Sequence, residues 1–263
     1  MKLEEIMEYG LIGEKLGHSY SKQIHAEFAD YHYELLPLTG EEFPVFMEKK
    51  DFRAINVTVP YKRCVLPYLS FLDPLAKRIG AVNTIVNRDG SLYGYNTDYY
   101  GFLYLLDKNG ISVKNKKVLV LGNGGVAQPV FLALSERDAG EVITVKHRAG
   151  DGVLTYAQAA AMHADADIII NASPVGMFPD VDATPIDLTP YKNLSAAVDI
   201  IANPRKTRFL LEAEKEGIKT ADGLSMLVAQ AKYAVELFLN ITIDDAKIAP
   251  VEEKIALSME QKN

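Results

Sequence analysis

Two polar groupings in the first hundred residues carry side chains that can move a proton. In Asn56-Val57-Thr58-Val59-Pro60-Tyr61-Lys62 a β-rich run stops at a proline, and a lysine follows two residues later. The other grouping, Gly94-Tyr95-Asn96-Thr97-Asp98, ends in a carboxylate. A lysine ammonium is a flexible donor whose pKa responds to burial and neighbours, so it can serve as an acid or a base. A carboxylate beside it can hold it in place and accept a substrate hydroxyl. Spacing alone also allows a plainer reading, a surface lysine and a helix-capping aspartate. His18-Ser19-Tyr20-Ser21 begins a helix, and two hydroxyls at a helix start form a cradle for a carboxylate. As structure only, Ser19 or Ser21 would be an N-cap.

A different chemistry is written further along. Gly122-Asn123-Gly124-Gly125-Val126-Ala127 follows directly on the buried-strand run Lys117-Val118-Leu119-Val120-Leu121, and an apolar helix pattern comes after it. This is the strand–turn–helix context of a dinucleotide-binding fingerprint. Gly122 allows the tight turn, Gly124 lets backbone approach a pyrophosphate, and Ala127 keeps helix and strand close. Taken alone, the same spacing also serves a purely structural turn. The next strand ends Val145-Lys146-His147-Arg148, with no carboxylate to bind a ribose 2′-hydroxyl. Lys146 and Arg148 would attract a 2′-phosphate, which favours NADP over NAD. A solvated basic strand end, with His147 exposed beside it, is the alternative. No metal is expected, because His18, His25, His32, His147 and His163 lack paired ligand spacing.

The elements that must position these groups follow from short apolar runs alternating with helical patterns, an α/β layering with mainly parallel sheets. Strands are expected near 8–12, 32–36, 54–59, 83–87 and 92–96, with a hairpin turn at Asp89-Gly90 between the last two. Helices are expected near 20–29, 41–50 and 72–78. A further helix over 98–109 opens on Asn96-Thr97-Asp98, stops at Asn109-Gly110 and leads into a second unit. That unit offers strands at 117–121, 141–146, 167–171 and 196–201. From Leu224 apolar residues again recur at helical spacing. A chain of 263 residues suits one large or two medium domains.

Composition narrows the partners. The net charge of −7 disfavours nucleic acid. No apolar run approaches membrane-spanning length, and Met1-Lys2-Leu3-Glu4-Glu5 lacks the apolar stretch of a signal peptide. The single cysteine, Cys64, fits a reducing cytoplasm and reads as a small core residue.

In their order along the chain, these segments resemble the shikimate dehydrogenase family. Gly17 to Ser21 with His25 is similar to its N-terminal substrate motif, and Asn56 to Lys62 to its Asn-Val-Thr-x-Pro-x-Lys motif. Gly80-Ala81-Val82-Asn83-Thr84, Asn96-Thr97-Asp98, the glycine loop, Asn171 to Met177, Asp199 to Thr207 and Gly223 to Gln230 complete the series. The resemblance implies a two-domain α/β protein. A discontinuous substrate-binding domain, 1–100 together with 224–263, would close over a Rossmann-type NADP domain, 101–223, with the active site in the cleft. It implies reversible, NADP-dependent reduction of 3-dehydroshikimate to shikimate in aromatic amino acid biosynthesis. Lys62 and Asp98 match the catalytic pair. Ser19 and Ser21 match the carboxylate grip, and Thr58, Asn83 and Gln230 match positions that bind ring hydroxyls or support the lysine. Cofactor contacts fall on Gly122, Asn123, Gly124, Gly125, Val126, Ala127, Lys146, His147, Arg148 and Ser173, with Ile200 and Gly223 at the nicotinamide end.

Three departures from the family pattern stand out. Ala202 occupies the usual tyrosine position after Asp199, so a phenolic hydroxyl is missing. Lys22 replaces a proline after the serine pair and is read as solvated. The stretch between Arg148 and Asp167 leaves room for one short helix near 155–163 and hardly for the extra strand and helix the family often places there, and the usual Asn-Arg-Thr cluster is His147-Arg148-Ala149. These departures keep open a quinate- or aminoshikimate-type dehydrogenase and a non-catalytic shikimate-binding regulatory relative. A monomer and a homodimer are both compatible with the sequence.

Overall fold

The computed structural model describes residues 7–17, 19–148, 150 and 152–261. His18 and Ala149, singled out above, lie outside the described residues, as do residues 1–6. The chain divides into two compact units. One runs to Asp98 and takes up Val228–Leu257, and the other comprises Tyr99–Leu227 and the chain from Ser258.

The first unit is built from β1 (Met7–Gly13), α1 (Ser21–Phe28), β2 (Tyr33–Pro37), α2 (Glu42–Lys49), β3 (Phe52–Val57), β4 (Phe71–Leu72), α3 (Pro74–Ile79), β5 (Thr84–Arg88) and β6 (Ser91–Tyr95). Its sheet has the order β2-β1-β3-β5-β6-β4. β5 is antiparallel to both of its neighbours and the remaining pairs are parallel. Asn87 fixes the β5–β6 hairpin. Its side-chain Oδ1 accepts from the Gly90 N–H at 2.8 Å, and its Nδ2 donates to the Lys50 and Phe52 carbonyls. One face of the sheet packs Ile12, Ile55, Val57 and Ile85 against Phe43, Met47 and Tyr61.

These strand directions assemble one edge. The parallel strands β1 and β3 end side by side, with Ile12 opposite Val57. The antiparallel β5 therefore begins at that same edge, with Thr84 opposite Asn56. β6 ends there too, with Tyr95 opposite Thr84. The segments after β1, β3 and β6, and the start of β5, thus share one rim of the sheet.

The second unit contains α4 (Asp98–Lys108, from Tyr99 on), β7 (Lys117–Leu121), α5 (Ala127–Glu136), β8 (Glu141–Lys146), β9 (Val153–Thr155), α6 (Tyr156–Met162), β10 (Ile168–Asn171), β11 (Ala196–Asp199), α7 (Arg208–Lys215) and β12 (Lys219–Ala221). Its sheet is wholly parallel, in the order β12-β11-β10-β7-β8-β9. Read from β9, that is strand order 3-2-1-4-5-6, a doubly wound nucleotide-binding sheet whose direction of winding reverses between β7 and β10. Val118, Leu119, Val120 and Leu121 are all fully buried, as a strand covered on both faces requires.

Two sequence expectations are corrected. A third strand, β9, does fit between Arg148 and Asp167. It needs only three residues, because it pairs on one side alone, with β8. Cys64 is exposed rather than core. Tyr61 and Val65, one turn apart, take the buried side of that turn and leave Cys64 outside. The later divisions between the two units fall inside α8 (Leu224–Leu239) and α9 (Ile248–Glu260), where no change of pattern marks them. Among the described residues no helix is long and apolar enough to cross a membrane.

Candidate active site

Lys62 and Asp98 meet. The Lys62 Nζ donates to Asp98 Oδ2 at 2.6 Å, and the two residues are only 8% and 6% exposed. Beyond the end of β3, Tyr61 anchors the following turn by donating its hydroxyl to the Leu38 carbonyl at 2.7 Å. The Lys62 carbonyl accepts from the Val82 N–H, which ties that turn to the segment entering β5. Asp98 is the first residue of α4, so its carboxylate sits at a helix start, where negative charge is favoured.

Asn83 holds the other Asp98 oxygen. Its Nδ2 donates to Asp98 Oδ1 at 3.0 Å and to Thr97 Oγ1 at 2.9 Å. Its Oδ1 accepts from the Thr97 N–H at 2.8 Å. Gln230 Oε1 lies 3.4 Å from both Asn83 Nδ2 and Thr97 Oγ1. Asn83 and Gln230 are thus gathered around the carboxylate. Thr58 begins the segment after β3, and its backbone N–H donates to the Ile12 carbonyl. Ser19 and Ser21 lie at the same rim, on the segment after β1. Ser19 Oγ donates to Ser21 Oγ at 3.1 Å and accepts the Ser21 N–H. Neither serine is the N-cap, a position taken by Tyr20. Lys22 is exposed.

In the second unit the expected cofactor residues lie at the carboxyl ends of β7, β8, β10, β11 and β12. Gly122 has φ +110°, and a Cβ there would lie 2.8 Å from the Ala172 carbonyl oxygen, so only glycine fits this turn. A Cβ on Gly124 would meet nothing within 4 Å, which leaves the loop open above it. Among the described residues the N–H groups of Gly124, Gly125 and Val126 have no backbone acceptor. Asn123 is braced by Gln128, and Ala127 is fully buried against the strand. An open turn with free N–H groups leading into α5 suits a pyrophosphate. Lys146, His147 and Arg148 are exposed at the end of β8, and the His147 ring lies 5.1 Å from that of Tyr156. Ser173 donates to Asn171 Oδ1 at 2.7 Å. Gly223 packs backbone to backbone on Ile200, since a Cβ would fall 2.2 Å from the Ile200 oxygen. Ala202 is half-buried and brings no hydroxyl. No group of His, Cys, Asp or Glu among the described residues could hold a metal.

Sequence reasoning overlooked two buried polar clusters. One links Tyr33, Asn56 and Thr84 to Asn83. In the other, Asp199 accepts from Asn171 Nδ2, the Ile201 N–H and the Thr207 hydroxyl. Burial pushes the Asp199 carboxyl up to about 6, although those three hydrogen bonds pull it down. The signal available in sequence was an amide or carboxylate inside an apolar strand, which must find a partner once buried.

A doubly wound parallel sheet with an open glycine turn at its switch point, carried on the same chain as a buried lysine–carboxylate pair, is the arrangement of a Rossmann-class dehydrogenase. Comparison with known proteins narrows this. Residues 11–85 match the shikimate dehydrogenase substrate binding domain. The chain is 39% identical over 254 residues to the NADP(+) shikimate dehydrogenase of Clostridium beijerinckii, covering 90% of this chain and 93% of that protein. The crystal structure of the Thermus thermophilus enzyme in complex with NADP(H) and shikimate matches with a TM-score of 0.84 at 31% identity, covering 94% of this chain and 99% of that one. Quinate dehydrogenase from Corynebacterium glutamicum in complex with NAD matches with a TM-score of 0.82 at 26% identity, over 95% and 98% of the two chains. This chain belongs to the shikimate dehydrogenase family.

Proposed function

We propose that this protein is an NADP-dependent shikimate dehydrogenase that interconverts 3-dehydroshikimate and shikimate. The observation that carries the reading is the buried 2.6 Å contact between Lys62 and Asp98 at the rim of the first sheet. Bound NADP(H) supplies or accepts the hydride at the substrate's C3. Lys62 Nζ delivers the proton to the C3 oxygen during reduction and receives it back during oxidation. Asp98 orients the ammonium through Oδ2 and is itself held through Oδ1 by Asn83. Ser19 and Ser21 grip the substrate carboxylate, and Thr58 and Gln230 face its ring hydroxyls. Holding all of these groups in place removes much of the entropic part of the barrier.

On the second unit, the backbone of Gly122 to Ala127 would hold the pyrophosphate. Lys146 and Arg148, with His147 beside them, would take the 2′-phosphate, and Ser173, Ile200 and Gly223 would line the nicotinamide end. The substrate-binding role thus falls to the unit that carries Lys62, and the cofactor role to the unit that carries the glycine turn. An exposed, unpaired cysteine suits a reducing cytoplasm.

Turnover of shikimate and quinate, each with NADP and NAD, tests the reading. NADPH formation from shikimate is expected to dominate, and silence across all four combinations overturns it. Ala202 favours a second reading, quinate as the better substrate, because the missing phenol changes what the ring's substituents meet. A larger kcat/KM for quinate would establish it. A purely regulatory relative has no chemical need to bury Lys62 against Asp98. Arg148→Ala is expected to raise the KM for NADP about tenfold, the loss of one charge-assisted hydrogen bond, while leaving the rate with NAD unchanged.

A further inference from the structure

The Asp98 carboxylate is the end of a longer chain of buried groups. Tyr33 on β2 donates its hydroxyl to Asn56 Oδ1 at 2.7 Å. Asn56 Nδ2 donates to Thr84 Oγ1 and to the Asn83 carbonyl, both at 3.2 Å. The Thr84 hydroxyl donates to Asn83 Oδ1 at 2.9 Å. Asn83 Nδ2 then donates to Asp98 Oδ1, and Lys62 holds Oδ2. Tyr33, Asn56, Thr84 and Asn83 are all at most 5% exposed, so water does not substitute for any link.

Two backbone groups fix how the Asn83 and Asn56 amides are turned, and the other links follow from those two. The Thr97 N–H can only donate, so the Asn83 oxygen must face it and the Asn83 amide nitrogen must face Asp98. The Asn83 carbonyl can only accept, so the Asn56 nitrogen must face it and the Asn56 oxygen is left for Tyr33. Thr84 accepts from Asn56 and has one proton, which it gives to Asn83. Donors therefore run one way, from the Tyr33 phenol to the carboxylate. Each link polarises the next, and an unsatisfied member in so dry a place is costly.

We infer that Tyr33, Asn56 and Thr84 are positioning residues for the Lys62–Asp98 pair, acting through this single directed chain. The inference rests on the functional reading above for its kinetic consequence and on geometry alone for its structural one. Without the Tyr33 hydroxyl the Asn56 oxygen loses its 2.7 Å donor, and the amide is held less firmly where it meets Thr84 and the Asn83 carbonyl. Without the Thr84 hydroxyl the Asn83 amide loses a partner that helps to aim it at Asp98.

The test uses Tyr33→Phe, Thr84→Val and the double variant in the full chain. Each single change is expected to lower kcat about tenfold with KM unchanged, and the double change to lower it by about the same tenfold, because a chain broken once is not broken further. Thr84→Ser, which keeps the hydroxyl, restores kcat. Wild-type kcat in either single variant, or losses that multiply in the double, overturns the inference. A second readout does not depend on turnover. The Asn83 side-chain NH2 protons, identified by their absence in Asn83→Ala, are expected to exchange slowly with solvent in the wild type. Exchange should be about tenfold faster in Tyr33→Phe, whose lost hydroxyl is three hydrogen bonds away. Unchanged exchange overturns the inference, whereas a wild type inert toward shikimate overturns the functional reading and leaves the exchange result to decide the chain.

Discussion

Replacing Lys62 by methionine is expected to lower shikimate turnover by about 10²–10⁴-fold, the range for loss of a positioned proton donor. The ammonium is held at 2.6 Å from Asp98 on a side chain that is only 10% exposed, so water cannot readily take its place. The same burial predicts a loss of stability, which a surface lysine would not show. Removing one partner of a buried ion pair leaves the other charge uncompensated, at about 3–5 kcal/mol. Asn83 would still hold one Asp98 oxygen, while the other would face hydrocarbon. The double variant Lys62→Met with Asp98→Asn separates the two effects. It removes both charges, so the melting temperature is expected to recover most of the loss while turnover stays at the level of the single variant. Steady-state kinetics beside thermal melts of the three proteins check this. A Lys62→Met enzyme within a factor of a few of wild type removes the lysine from the chemistry. A double variant that melts as low as the single one shows that the pair does not act as a charge pair.

Parts of this arrangement were legible in the sequence because local chemistry dictates them. The Gly122 turn must follow a buried strand and open a helix, and the run from Lys117 to Ala127 states all three. The hairpin at Asp89-Gly90 and the stop at Asn109-Gly110 are set by residues whose backbone preferences are strong. Other parts depend on partners distant in sequence. β9, β4 and β12 are two or three residues long, too short to carry a period, and exist because a neighbouring strand offers hydrogen bonds. Spacing alone leaves Lys62 and Asp98 open to being an exposed lysine and a helix cap. Only the antiparallel β5, which starts at the rim where β3 ends, brings Asn83 onto the Asp98 oxygen that Lys62 leaves free. Tyr33 looks like any aromatic in a β-rich run, and nothing local says that its hydroxyl reaches Asn56 on a strand that is not its neighbour in the sheet.

The same aromatic neighbourhood gives the largest expected pH effect on stability. His25 is 1% exposed, its ring stacks on Tyr33 at 4.1 Å, and its Nδ1 lies 2.6 Å from the Tyr31 hydroxyl. Burial lowers its pKa from 6.5 to about 3, more than the nearby Asn56 side chain raises it. The unfolded chain therefore takes up a proton as pH falls through 6.5, and the folded chain does not until pH is near 3. Stability is expected to fall across that window by about 1.4 kcal/mol per pH unit, roughly 4–5 kcal/mol in all. Asp199 acts with the opposite sign. Its pKa is raised from 3.8 to about 6, so between those values the folded state binds the extra proton and gains stability as pH falls. Comparing the wild type with His25→Asn cancels the Asp199 contribution, which is common to both. Asparagine keeps an acceptor for the Tyr31 hydroxyl and does not titrate, although it loses the ring stack. The wild type is expected to be the more stable protein at pH 7, and its advantage in urea unfolding should shrink steadily on going to pH 4. An advantage that stays constant from pH 7 to pH 4 would mean that the imidazole is solvated or charged in the folded protein. Tyr33 would then lack the dry, neutral stack that holds its hydroxyl on Asn56.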